Sequence, residues 1–144
     1  MKIESQKALN IWRVALVEIV RNERPDLTSR QMAVLLTVYL AVGPHTVRGL
    51  AASLNVSKPA ITRALDRLSE LDLVRRKADE ADRRSILVQR TVKGSVFLSE
   101  FGEVIRQAAL EVDGEGGASL PGEDAGSAVG LGAGEDEPDR LAAG

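Results

Sequence analysis

Cysteine is absent from the 144 residues, which removes disulfides, thiolate zinc sites and cysteine-based oxidant sensing from the available chemistry. Histidine is nearly absent as well. His45 is the only one, it stands beside a predicted helix cap, and no second ligand or proton-transfer partner is near it in sequence. A capping or solvent-facing role is expected of it, with no metal and no cofactor. Aromatics are confined to Trp12, Tyr39, Phe97 and Phe101, so any core must be mostly aliphatic. No apolar run approaches the roughly 18 residues of a spanning helix, and the opening residues lack the pattern of a signal peptide. A soluble, unexported, cytoplasmic protein is expected. There is also no phosphate-cradling glycine loop and no carboxylate pair in an apolar setting. The acids Asp79, Glu80 and Asp82 cluster on a predicted turn, where solvation is the default. No enzyme is indicated.

What is present divides unevenly. The formal charge of −2 averages two unlike regions. Residues 1–112 hold 18 Lys/Arg and 13 Asp/Glu, a net of +5, whereas residues 113–144 hold one Arg and eight acids, a net of −7. Residues 46–94 alone carry eleven basic and six acidic side chains. The local field is what a phosphate backbone meets, so an overall pI near 5.5 does not argue against nucleic acid. From Asp113 onward lie nine of the thirteen glycines and almost no large apolar residues. Such a tail cannot bury enough surface to offset its ordering entropy and is expected to be disordered.

The segment Ser57–Leu68 carries most of the functional information. Ser57 suits an N-cap, and Pro59 falls in the first turn, where a missing N–H costs nothing. Ile61, Leu65 and Leu68 form one apolar stripe. Lys58, Thr62, Arg63, Asp66 and Arg67 fall elsewhere on the wheel. Any surface helix shows a charged face opposite an apolar one, so the flanks must decide. Upstream, Thr46–Leu54 reads as a second short helix with Val47, Leu50, Ala51 and Leu54 inward. Only Asn55-Val56 separates it from Ser57, and Asn55 suits a left-handed turn. Downstream, Leu73–Ala78 and Ser85–Arg90 read as two strands around the charged turn Asp79–Arg84. This is a hairpin with basic residues at tip and base. Asp82, two residues before Arg84, is close enough for its carboxylate to hold that guanidinium in one orientation. An oriented arginine at a loop tip suits a narrow minor groove. The alternative is a solvated turn with an ordinary ion pair.

These residues resemble the MarR family of bacterial winged helix-turn-helix transcription regulators. Asp82-x-Arg84, then Thr91 and Lys93-Gly94, is similar to the family's wing signature running into the next helix. Leu27-Thr28-x-x-Gln31 is similar to the opening of its second helix. The resemblance spans residues 27–94. Arg90 departs from it, because the family commonly has leucine there. The fold it implies is mainly α with a small β-hairpin wing, a MarR-like winged helix-turn-helix.

Around that domain, residues 1–26 hold a first helix from 4 to 22, with Ser5 as a possible cap. Leu9, Trp12, Leu16 and Ile19 form one stripe, and Ile11, Val14 and Val17 form a second. Two apolar sides imply two neighbours, either the C-terminal helix alone or, as the resemblance implies, a second subunit too. Thr28 with Gln31 makes a capping box for a buried helix that includes Met32–Ala41 and stops at Gly43-Pro44. Thr91 caps a last helix over 91–112, in which Gly102 weakens or bends the run. The tail from 113 occupies the place where the family has a further dimer helix.

The resemblance implies double-stranded DNA as partner, a homodimer built through the N- and C-terminal helices, and a small-molecule effector that the sequence does not identify. Lys58, Thr62 and Arg63 are expected at base edges in the major groove, with Ser57 and Pro59 at the close-approach end. Arg84, oriented by Asp82, is expected in the minor groove, and Arg83 there or on a phosphate. Arg48, Arg67, Arg75, Arg76 and Lys77 are candidates for phosphates. The competing reading is a winged-helix protein-interaction module whose basic face meets an acidic partner.

Overall fold

A computed structural model describes residues 4–114. Five helices and three short strands follow in the order α1 (Ser5–Arg21), α2 (Ser29–Leu40), β1 (His45–Thr46), α3 (Val47–Leu54), α4 (Lys58–Glu70), β2 (Val74–Ala78), β3 (Ile86–Arg90) and α5 (Val92–Gly114). The chain is mainly helical with a small antiparallel sheet, a winged helix-turn-helix.

The helix starts are fixed by local chemistry. Thr28 Oγ1 accepts from the Gln31 amide at 3.1 Å and Gln31 Oε1 accepts from the Thr28 amide at 2.9 Å, a closed capping box. Thr46 Oγ1 accepts from the Gly49 amide at 2.9 Å, and Ser57 Oγ accepts from the Ala60 amide at 3.3 Å. Each hydroxyl satisfies an amide that has no partner within its own helix. Between α3 and α4, Asn55 adopts the left-handed conformation (φ 55°, ψ 47°) that ends one helix within two residues of the next cap. Thr91 Oγ1 accepts from the Gly94 amide at 2.9 Å and so starts α5.

These starts hold the helices around one aliphatic core. It is formed by Val34, Leu35 and Val38 of α2, Val47, Leu50 and Ala51 of α3, Ile61, Leu65 and Leu68 of α4, and Leu73, Val74 and Val88 at the base of the hairpin. Burying each of the larger side chains contributes roughly 1.5–3 kcal/mol before entropy is counted. Tyr39 and Phe97 pack at its edge. A second layer joins α1 to α5, with Ala15, Phe101, Ala108 and Val112 buried. There Trp12 meets Phe101 edge-on, with centroids 6.5 Å apart at 74°.

The structure differs from expectation at several points. Glu4, not Ser5, is the N-cap residue of α1, and its side chain makes no cap hydrogen bond. His45 is not merely beside a cap: it opens a strand, β1, that pairs with Val88 in β3 and gives the sheet the order β1-β3-β2. Two residues are too few for a periodicity to announce. The His45 ring also approaches the Ala41 carbonyl at 3.0 Å. Helix α5 runs unbroken through Gly102 and two residues beyond Val112. Asp113, expected in the tail, is helical and pairs with Lys7 of α1. The rest of the acidic tail lies outside the described residues.

Candidate nucleic-acid interface

Helix α4 turns Ala60, Ile61, Ala64, Leu65 and Leu68 into the core, which fixes what its other side shows. Lys58, Pro59, Thr62, Arg63 and Arg67 are all exposed. Arg48 is exposed on the first turn of α3, and Arg75 and Lys77 are exposed on β2. Pairing of Val74 with Arg90 through Ala78 with Ile86 sets the hairpin's register, with Arg75 opposite Gln89. Arg83 and Arg84 lie exposed in the turn between the strands. Among the described residues, Arg48, Lys58, Arg63, Arg75, Lys77, Arg83 and Arg84 enter no ion pair.

Asp82 acts differently from expectation. Its Oδ1 accepts from the backbone amide of Arg84 at 3.1 Å, not from the guanidinium. Asp79 does the same for the Ala81 amide at 3.0 Å, and backbone bonds from Ser85 to Asp82 and from Asp79 to Ser85 close the turn. Two residues of spacing suit an Asx turn better than a side-chain pair, because the amide two residues on is already within reach. Asp82 therefore shapes the loop that carries Arg84.

Two of the remaining basic candidates are engaged. Arg67 lies 3.6 Å from Glu70, a loose pair one turn along the same helix. Arg76 Nη2 meets Asp66 Oδ1 at 2.8 Å, joining β2 to α4. This pair offsets the one acid that α4 carries among the five residues read as its polar face. No local sequence signal links Asp66 to Arg76, since the fold brings them together.

Sequence reading missed the base of the wing. Tyr39 Oη donates to the Leu73 carbonyl at 2.6 Å and accepts from the Thr91 amide at 2.9 Å. Thr91 Oγ1 donates to the Asp72 carbonyl at 2.7 Å, and Asp72 has a positive φ of 58°. One hydroxyl thus ties the entry of the hairpin to its exit. Gly94 is needed beside it, because a Cβ there would come within 1.8 Å of Tyr39 Oη and 2.3 Å of the Leu73 carbonyl. Tyr39 is the only tyrosine, and Lys93-Gly94 belongs to the quoted motif; their contact is visible only in three dimensions.

A cavity of about 310 Å³ lies between α1 and α5. Its lining includes Val14, Val104 and Ala108, and Glu18, Glu100, Glu103 and Glu111 against the single cation Arg24. Among the described residues, no group of three or more potential metal ligands is gathered, and no helix is long and apolar enough to cross a membrane.

Residues 26–85 match the model of the MarR family. The fold is similar to that of a MepR point mutant from S. aureus, at 17% identity and a TM-score of 0.62, over 94% of this chain and 91% of that one. It is similar to a crystal structure of MarR at 28% identity and a TM-score of 0.53, over 73% of this chain and 78% of the other. It is also similar to a MarR mutant from E. coli complexed with operator DNA, at 25% identity and a TM-score of 0.56, over 74% of each chain.

Proposed function

We propose, from the match of residues 26–85 to the MarR family model, that this chain is a sequence-specific DNA-binding transcription regulator acting as a homodimer. Lys58, Thr62 and Arg63 read base edges in the major groove, with Ser57 and Pro59 where the helix comes closest. Arg84 enters the minor groove on a loop shaped by Asp82, and Arg83 accompanies it. Arg48, Arg67, Arg75 and Lys77 take phosphates. The observation that carries the reading is the set of exposed cations on α3, α4 and the wing that have no carboxylate partner. Unpaired, they are available to an anionic backbone.

The dimer reading rests on α1. Leu9, Trp12, Leu16 and Val20 remain exposed along it, at 57%, 46%, 40% and 75%, although α5 already covers its other side. A second copy covering that strip meets the expectation of two neighbours. The cavity between α1 and α5 is where an effector could sit. Its four glutamates and one arginine disfavour an anionic effector.

Selection from a pool of random duplexes, followed by a salt titration, tests the whole. An enriched palindrome with a steep fall in affinity on adding salt is expected. Weak, sequence-blind binding would instead favour the protein-interaction module. On the enriched site, Arg84→Ala should relax preference at the wing's position by about tenfold. Arg48→Ala should weaken all sequences alike. Arg76 is a poor control for phosphate contact, since replacing it would leave the Asp66 carboxylate unpaired beside the DNA.

A further inference from the structure

The hairpin must hold Arg84 at a fixed place relative to Thr62 and Arg63 if both are to read one site. Strand β1 supports the hairpin through only two residue pairs, His45–Val88 and Thr46–Leu87, and the ribbon beyond them is two-stranded and marginal by itself, so its pitch depends on what else holds its base. Arg90, the last residue of β3, donates from Nε to the Val38 carbonyl at 3.0 Å. Val38 lies in the final turn of α2, where carbonyls lack helical partners and the helix dipole favours a cation. That turn has no basic residue of its own. The Arg90 guanidinium also lies over the Tyr39 ring, 5.7 Å from its centroid, within cation–π range. Tyr39 Oη in turn holds Leu73 and Thr91, the two ends of the hairpin.

Both residues thus bind the wing to α2, and α2 packs directly against the recognition helix α4. We propose that Arg90 and Tyr39 are positioning residues that set the wing's angle to the recognition helix, and through it the reach of Arg84 into DNA. This rests on the DNA-binding reading for its consequence, though not for the lock itself. Leucine at this position could make neither the carbonyl bond nor the cation–π contact.

The test uses the full chain and the variants Arg90→Leu, Arg90→Lys and Tyr39→Phe. Amide hydrogen exchange without DNA reads the lock directly. Arg90→Leu should speed exchange in β2 and β3 several-fold and leave the central turns of α4 unchanged, with Arg90→Lys intermediate. Unchanged exchange in the hairpin would overturn the proposal, as would equal acceleration in α4, which would mean general loosening. Binding to the selected duplex and to single-base variants reads the consequence. Arg90→Leu should lose discrimination under the wing by about the same tenfold as Arg84→Ala, keep it under the recognition helix, and add little in the double variant. Additive losses, or a uniform loss at every base, would overturn the positioning role. A loosened wing in a protein that selects no sequence would uphold the lock and reject the DNA reading.

Discussion

The winged-helix body and the α1–α5 layer are built by the same chain to different degrees of completion. In the body, three helices and the hairpin close around aliphatic side chains, and Leu35, Ile61, Leu65 and Leu68 are fully buried. In the layer, burial is limited to Ala15, Phe101, Ala108 and Val112, while Leu9, Trp12, Leu16, Val20 and Leu110 face outward. Their charges differ as well. Among the described residues, the body presents exposed cations without ion pairs beside the pairs Arg67–Glu70 and Arg76–Asp66, whereas in the layer Glu103–Arg106, Arg24–Glu100 and Lys7–Asp113 tie much of the charge together. A region that satisfies its own core can give its surface to a ligand. The body also exposes Leu40, Val42 and Ile86, but a run of apolar side chains along one helix, as on α1, offers a continuous strip to another molecule.

The largest expected difference lies between two leucines. Leu65→Ala in α4 should destabilise the chain by roughly 2–5 kcal/mol, because the cavity left behind cannot collapse. Leu16→Ala on the open face of α1 should cost the isolated chain less than about 1 kcal/mol. Urea unfolding of both at low concentration checks the contrast. Similar losses would mean that α1 is not an open face.

Next in size is Gly94→Ala at the joint between the two regions. The added methyl would overlap both Tyr39 Oη and the Leu73 carbonyl, and the second is backbone, so the start of α5 must shift. Overpacking of this kind costs about 1–3 kcal/mol. Tyr39→Phe in the same chain removes the hydroxyl but leaves the ring Cζ, 2.7 Å from the added methyl, and the Leu73 carbonyl, so the double variant should lose somewhat less than the sum. Additive thermal shifts would show that the carbonyl and the ring, not the hydroxyl, set the limit.

These two sites mark how far the sequence could be read. The caps at Thr28, Thr46 and Ser57, the left-handed Asn55 and the stripe Ile61–Leu65–Leu68 are local signals. Each is decided within a few residues, and each stands in the structure as read. Tyr39–Thr91, Arg76–Asp66 and Arg90–Val38 are not local. They join positions 52, 10 and 52 residues apart, and polar partners at such distances leave no periodicity. Strand β1 is too short to alternate. Sequence spacing assigns Asp82 to the Arg84 guanidinium, whereas it holds the Arg84 backbone amide, an outcome set by turn geometry.

Smaller in stability and larger in assembly is Trp12→Glu. At 46% exposure the ring contributes modestly to the single chain, through its edge contact with Phe101. If a second copy covers this strip, a buried carboxylate without a partner should shift the protein to monomer. Light scattering at micromolar concentration should show half the mass of the parent and weaker binding to a palindromic duplex. A parent that is already monomeric would place the partner of α1 elsewhere.

The smallest effect separates the two kinds of surface charge by pH. Arg106 reaches Glu103 twice, Nη2 to Oε1 at 2.6 Å and Nε to Oε2 at 3.0 Å, and Gln107 adds a bond at 3.2 Å. The hydrogen bonds from Arg106, then that from Gln107, hold the Glu103 carboxyl at about 2 instead of 4.5. A carboxyl whose folded pKa is depressed adds stability above its unfolded value and loses it as pH falls through the folded one. The contribution is therefore complete above about 4.5 and fades toward 2. Both side chains are solvent-exposed, so screening keeps it small. Arg106→Gln should lower the melting temperature slightly at pH 6 and not at pH 2, and the gap should shrink in high salt. The matching change in the body, Arg63→Gln, should leave melting unchanged at every pH, because Arg63 has no carboxylate to lose. A pH-dependent gap for Arg63→Gln would mean that the cations of the interface are paired in solution, and their availability to DNA would fall with it.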